Sequence, residues 1–177
     1  VDAICVCDTG STDNTVSIIN NYFKTVKIPT RLCTHTWQNF GHNRSLSFTE
    51  TVKFCKDLNW NPSKTYGLLL DADQKLVVLP VFDRQIAFDP PESGYNLMLK
   101  TSSCLHHVPK FINLGCDWKC VGSTHEYWND DKDEDGPIDL DEEEIYIDDV
   151  GDGGCKSDKY ERDIRLLLQD LEKRPED

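Results

Sequence analysis

The stretch that most constrains the fold is Ala3–Phe23, "AICVCDTGSTDNTVSIINNYF". Residues 3–7 form a continuous apolar run, the pattern of a short strand buried on both faces. The run stops at Asp8, and residues 8–13 read Asp-Thr-Gly-Ser-Thr-Asp. Val16, Ile19, Tyr22 and Phe23 then recur at helical spacing, with Ser11 or Thr12 available as the N-cap. Strand, turn and helix in this order predict a crossover to a parallel partner strand.

The rest of the first half repeats that rhythm. A second strand is expected within 26–37. A second helix is expected over 43–59, marked by Phe48, Val52, Cys55 and Leu58. A third buried strand runs from Tyr66 to Asp71, followed by a short apolar segment to Pro80. All three strands are expected to pair in parallel. Beyond residue 80 the pattern changes to antiparallel strands, at 94–103, 107–114, 118–128 and 143–149. The chain closes with a helix over 157–174, whose Ile164, Leu167, Leu168 and Leu171 form one apolar stripe. At 177 residues this is one α/β domain.

Charge narrows the function classes. The net charge is −13, and residues 129–144 supply much of it. A nucleic-acid surface is excluded as the main function, and an acidic protein that handles phosphates needs a cation in its site. No apolar run approaches membrane-spanning length. The eight cysteines lack the spacing of a secreted framework, and Cys5 and Cys7 lie on one face of a single strand. Free, mostly buried thiols in a reducing compartment, the cytoplasm, are expected. The chain opens at Val1 almost inside a strand and without a targeting segment, as a fragment of a longer protein would.

Two carboxylate groupings carry chemistry. Asp8 stands at the carboxyl end of the first strand, where open α/β sheets bind ligands, with Asp13 a turn away. Asp71 and Asp73 lie two apart, so on an extended backbone they project together. Such a pair repels itself unless a cation intervenes, and hard oxygen donors suit Mg²⁺ or Mn²⁺. The string Asp-Thr-Gly-Ser also carries the catalytic aspartate of pepsin-like proteases. That chemistry needs two such motifs on all-β lobes, so that two carboxylates share a proton. Here there is one, and a helix follows it.

Five segments in order resemble the family 2 glycosyltransferases of the GT-A fold: "DTGSTDNT" (8–15), "WQNFGHNRSLSF" (37–48), "LLLDADQKL" (68–76), "VGSTHEYW" (121–128) and 151–177. They look most like the branch in which helical repeats follow the transferase domain. The resemblance implies a mixed sheet flanked by helices, with a nucleotide-binding half at 1–80 and an acceptor-side half at 81–177. It implies that the loop of Asp8, Gly10, Ser11 and Asp13 contacts the uridine or ribose of a UDP-linked sugar. Asn43 and Arg44 would hold the nucleotide side. Asp71 and Asp73 would bind Mn²⁺ or Mg²⁺ and the diphosphate, and Glu126, beside His125, would be the base. Glu126 should then lie within several ångströms of Asp71 and Asp73, across an open cleft. The acceptor is an unidentified glycan or protein hydroxyl, and inversion at the anomeric carbon is expected.

The chain departs from the family pattern twice. The first strand and helix of the family have no counterpart before Val1. Where relatives carry a late metal-binding histidine, this chain reads "DDVGDGG", so Asp149 or Asp152 would substitute. Lys156 and Lys159, opening the last helix, could close over the phosphates. A competing class is a non-enzymatic Ca²⁺-binding or interaction module on a degenerate transferase fold. It rests on Asp131, Asp133, Asp135, Gly136, Asp139 and Glu142, which match an EF-hand loop but lack flanking helices. Cys104, His106, His107, Cys116 and Cys120 offer a further zinc possibility, without the paired spacing of a zinc finger.

Overall fold

A computed structural model describes residues 1–132, 135–151 and 159–173. Strand β1 (Ile4–Asp8) leads through helix α1 (Thr15–Phe23) to strand β2 (Thr30–Thr34). The two strands pair in parallel, from Ile4 with Thr30 to Asp8 with Thr34, as the strand–turn–helix pattern requires. They form a sheet of two strands. Ile4–Cys7 are therefore half-buried and not enclosed on both faces as the apolar run suggested. The cap of α1 also differs from expectation. Asp13, not Ser11 or Thr12, accepts the Thr15 N–H, at 2.9 Å.

Helix α2 (Phe40–Asp57) covers one face of this sheet. It begins a turn earlier than its apolar spacing suggested, because Asn39 caps it by accepting the His42 N–H at 2.7 Å. Phe48 and Cys55 are buried against Ile112, Leu114 and Trp118, with Val52 packed beside them. Towards β2, Phe54 lies under the Arg31 guanidinium, 4.4 Å from the ring centroid, and Arg31 bonds Asp57 at 2.7 Å. The helix thus joins the small sheet to the main core.

That core is a curled mixed sheet. Its strands are β3 (Tyr66–Leu68), β4 (Gln74–Val78), β5 (Gly94–Lys100), β6 (Leu105–Asn113), β9 (Ile138–Asp139) and β10 (Ile145–Asp149). The order is β3-β6-β5-β10-β4, with β9 beside β5. A short helix α3 (Arg84–Ala87) lies between β4 and β5, and β7 (Lys119–Val121) pairs with β8 (Tyr127–Asn129) as a separate hairpin. The expected β5–β6 antiparallel pairing is present. The third strand is a correction: β3 runs antiparallel to β6 and does not extend the parallel pair of β1 and β2. β10 runs parallel to β5 and antiparallel to β4.

Alternation builds the interior. Tyr95, Leu97 and Leu99 of β5 and Ile145 and Ile147 of β10 share one buried cluster, against Tyr66, Phe88 and Phe111. The connection 69–73 joins strands at opposite ends of the strand order. Four flat inter-strand steps would span roughly 19 Å, close to the reach of so short a segment even fully extended. The segment also contains a turn, so the sheet curls and brings its ends together.

Helix α4 (Lys159–Lys173) docks by an unexpected face. Asp163 and Leu166 are buried, whereas Ile164, Leu167, Leu168 and Leu171 are each more than half exposed. The stripe read as a core face has no cover among the described residues. No described helix is long and apolar enough to cross a membrane.

Candidate active site

Arg44 organises the site, and two glycines place it. Gly41 donates its N–H to the Gly122 carbonyl at 3.1 Å, and Phe40 donates to Ser123 O at 3.2 Å. A Cβ on residue 41 would stand 2.2 Å from the Gly122 oxygen, so only glycine permits this approach. Gly122 itself has φ +102°, a conformation glycine adopts without strain. Ser45 completes the strap, accepting the Cys120 N–H at 2.9 Å and donating to the Cys120 carbonyl at 3.2 Å. The β7–β8 loop is thereby fastened to the first turns of α2.

That fastening delivers Glu126 to Arg44. Arg44 Nε donates to Glu126 Oε1 at 2.7 Å, while Nη1 and Nη2 donate to the two Asp71 oxygens at 2.7 and 3.1 Å. Burial alone would lower the Arg44 pKa, but the two carboxylates hold it above its ordinary value. Asp71 shows the converse. Burial pushes its carboxyl up, and the Arg44 hydrogen bonds outweigh that and hold it below the usual range. Glu126 and Asp71 are close, but a shared guanidinium joins them where an open cleft was expected to separate them, and neither they nor Asp73 line the cleft described below. His125 is exposed and has φ +52°, so it forms the corner of the loop and points to no described partner.

The Asp-Ala-Asp segment is not extended. Gln74 donates its N–H to the Asp71 carbonyl at 3.1 Å, closing a turn over Ala72 and Asp73. The shared projection inferred from strand geometry therefore does not apply. Lys110 is a buried cation nearby, with its Nζ on Gln74 Oε1 at 2.6 Å. Burial lowers its pKa, opposed by the charges of Asp71, Asp149 and Asp73. Asp149 accepts from Gln74 Nε2 at 3.5 Å and from the Gly151 N–H at 3.0 Å. Among the described residues, Asp71, Asp73 and Asp149 do not bring three oxygens within 4.8 Å of one another. Their donor chemistry suits Mg²⁺ or Mn²⁺; with Asp71 engaged by Arg44, a metal here would fall to Asp73 and to Asp149, whose oxygens also accept from Gln74 and Gly151. Asp152 and Lys156 lie outside the described residues.

An open cleft of about 590 Å³ adjoins this cluster, lined by residues 9–13, Trp37, Phe40 and Arg162. Asp8 shapes its floor from beneath. Its carboxylate accepts from the Gly10 N–H at 3.0 Å and the Ser11 N–H at 3.1 Å. The Ser11 side chain and these backbone bonds hold Asp8 below its ordinary pKa. Asp8 is thus an internal brace of the loop, whereas Asp13 is exposed on the cleft wall. Asn43 is also a brace. It accepts the Gln38 N–H at 2.8 Å and donates to Thr36 O at 3.2 Å, fixing the segment that carries Trp37.

The cleft contains residues the sequence reading did not select. Trp37 and Phe40 meet edge to face, with centroids 6.0 Å apart, and the Arg162 guanidinium lies 5.0 Å from the Phe40 ring. Both aromatics stand in the quoted "WQNFGHNR", where only Asn43 and Arg44 drew notice. Arg162 brings a guanidinium to the cleft from α4, held by its own pairing with the buried Asp163 at 3.0 Å, one turn beyond Lys159, which is exposed and does not line the cleft. Phe40 and Arg44 are one turn apart on the same face of α2, so cleft and carboxylates are neighbours. A larger groove of about 860 Å³, lined in part by Phe48, Lys53 and Trp118, contains none of the candidate nucleotide, catalytic or carboxylate-metal residues.

The rival sites gain nothing from the structure. The acidic stretch 131–142 runs between β8 and β10 and contains β9, with no helix flanking it among the described residues, and Asp139 is occupied by Asn96 at 2.9 Å and His107 at 3.3 Å. Asp133 lies outside the described residues. Cys104 and His106 approach to 3.7 Å, but they and His107, Cys116 and Cys120 do not gather into a metal-sized group. Of the seven described cysteines only Cys55 and Cys120 are buried, so the expectation of mostly buried thiols does not hold. No protein-family model and no curated protein matches the chain.

Proposed function

We propose that this chain is a metal-dependent glycosyltransferase domain of GT-A type, taking a sugar from a nucleotide donor, with UDP as the nucleotide, to an acceptor hydroxyl. The observation that carries the reading is the bridge from Glu126 through Arg44 to Asp71, beside a cleft walled by aromatic rings and the Asp8–Asp13 loop. Trp37 and Phe40 offer the flat apolar surface that a base requires. Asp13 and the Gly10–Ser11 backbone offer polar groups to ribose, and Arg162 offers a positive charge to phosphate. A Mg²⁺ or Mn²⁺ held by Asp73 and Asp149 would offset charge on the departing diphosphate.

Glu126 is the base in this scheme. The acceptor oxygen attacks the anomeric carbon as its proton passes to Glu126, and the bond from that carbon to the diphosphate oxygen breaks. Arg44 fixes the orientation of Glu126, which keeps proton acceptor and attacking oxygen aligned. The free thiols are compatible with a cytoplasmic setting.

The test pairs two variants with two readouts, UDP affinity with and without Mn²⁺ and the rate of sugar transfer or donor hydrolysis. Trp37→Ala should weaken UDP binding by about 1–3 kcal/mol, the value of a lost base–aromatic stack. Glu126→Gln should slow turnover by roughly two to four powers of ten and leave donor affinity unchanged. Normal turnover in Glu126→Gln would place the base elsewhere. No UDP binding by the parent would defeat the reading.

A further inference from the structure

A second cluster lies on the other strand face of the first motif, away from the cleft. Parallel register sets Cys7 of β1 directly opposite Cys33 of β2, and Cys5 lies two residues along the same face. The three sulfurs fall within 4.8 Å of one another. Cys33, an imidazole nitrogen of His35 and a carboxylate oxygen of Glu50 form a second such group that shares the Cys33 sulfur, with Cys33 Sγ 3.7 Å from Glu50 Oε2. Four candidate ligands, from β1, the residue after β2 and α2, therefore surround the half-buried Cys33 sulfur.

We infer that Cys5, Cys7 and Cys33 bind a single Zn²⁺ ion, with His35 or Glu50 as the fourth ligand, and that the ion ties the β1–β2 sheet to α2.

Two observations favour a soft metal over small apolar packing, the ordinary role of a free cysteine. Zn–S bonds of about 2.3 Å in a tetrahedron place sulfurs about 3.8 Å apart, so the three sulfurs, within 4.8 Å of one another, need contract by no more than about 1 Å, while His35 or Glu50 would move in from the Cys33 side. The His35 Nε2 atom is buried and has no hydrogen-bond partner, a condition protein interiors seldom tolerate without a ligand. Thiolate and imidazole donors select zinc over the hard ions suited to Asp73, so the two sites would not compete for one metal. The inference is independent of the proposed glycosyl transfer.

The experiment titrates the reduced, metal-free chain with Co²⁺ and then Zn²⁺. One equivalent of Co²⁺ should give the intense visible bands of a tetrahedral ion with thiolate charge transfer, and Zn²⁺ should erase them. Cys33→Ser should weaken Zn²⁺ binding at least 10–100-fold, the range seen even for lost outer-shell partners. Cys104→Ser should change nothing. As a readout that needs no variant, Zn²⁺ should protect three thiols of the parent chain from a thiol reagent. Absence of the cobalt bands, their survival in Cys33→Ser, or unchanged thiol reactivity with Zn²⁺ would each overturn the inference.

Discussion

Arg44 is one side chain with two anionic partners, and its geometry explains why a lysine could not replace it. A planar guanidinium donates along separate edges, here to Glu126 and to both oxygens of Asp71. The stabilisation from Asp71 has a definite sign with pH. Its folded pKa is depressed, so the contribution is complete above the unfolded value of about 3.9. It is lost as pH falls through the folded value. Thermal unfolding of the parent and of Asp71→Asn should show a constant gap in midpoint from pH 7 to about pH 5, closing below about pH 4. A gap that does not begin to narrow as pH falls below about 4 would mean that ionised Asp71 is not its source. Residue types at this scale were legible in the sequence, but their partners were not. Glu126 could be named from "THEYW", yet its bond to a side chain 82 residues away depends on how α2 meets the β7–β8 loop. Asp8 and Asn43 show the same limit: that both brace the loops beside the cleft depends on hydrogen bonds that only the folded chain reveals.

Among elements, the contact of α2 with the β7–β8 loop is the most demanding. Gly41→Ala would drive a methyl group into the Gly122 and Cys120 carbonyls, and neither backbone atom can swing aside. The expected cost is about 1–3 kcal/mol, or roughly 3–10 °C in melting temperature for a chain of this size. Because the loop carries Glu126, turnover should fall along with stability. Calorimetry showing an unchanged midpoint would mean that the two elements separate in solution. The sequence revealed the elements themselves well. The strand before Asp8, the helix after it, the apolar face of α2 and the β5–β6 hairpin all follow from local periodicity. It did not reveal that β3 pairs with β6, because both candidate ladders satisfy the same apolar run. Nor did it reveal the docking face of α4, where the most apolar stripe is the one left uncovered.

For the whole molecule, the division at residue 80 separates sequence patterns and not stable units. β3 depends on β6 and β4 on β10, and Phe48 and Cys55 are buried against Ile112, Leu114 and Trp118. A fragment of residues 1–80 keeps only the β1–β2 pair, and two strands alone are marginal in water. Circular dichroism of that fragment should show no cooperative unfolding transition, whereas the full chain should show one. A cooperative melt in the fragment would establish the first half as a folding unit. The bridge at Arg44 also has a history in time. At about 5–20 residues per second, a ribosome would make Arg44 roughly 4–16 s before it reaches Glu126. Asp71 emerges between them and can engage the guanidinium first. A nascent chain halted before the β7–β8 hairpin would hold that guanidinium with one anion and lack Glu126, and Asp149 and Arg162 would join the site later still.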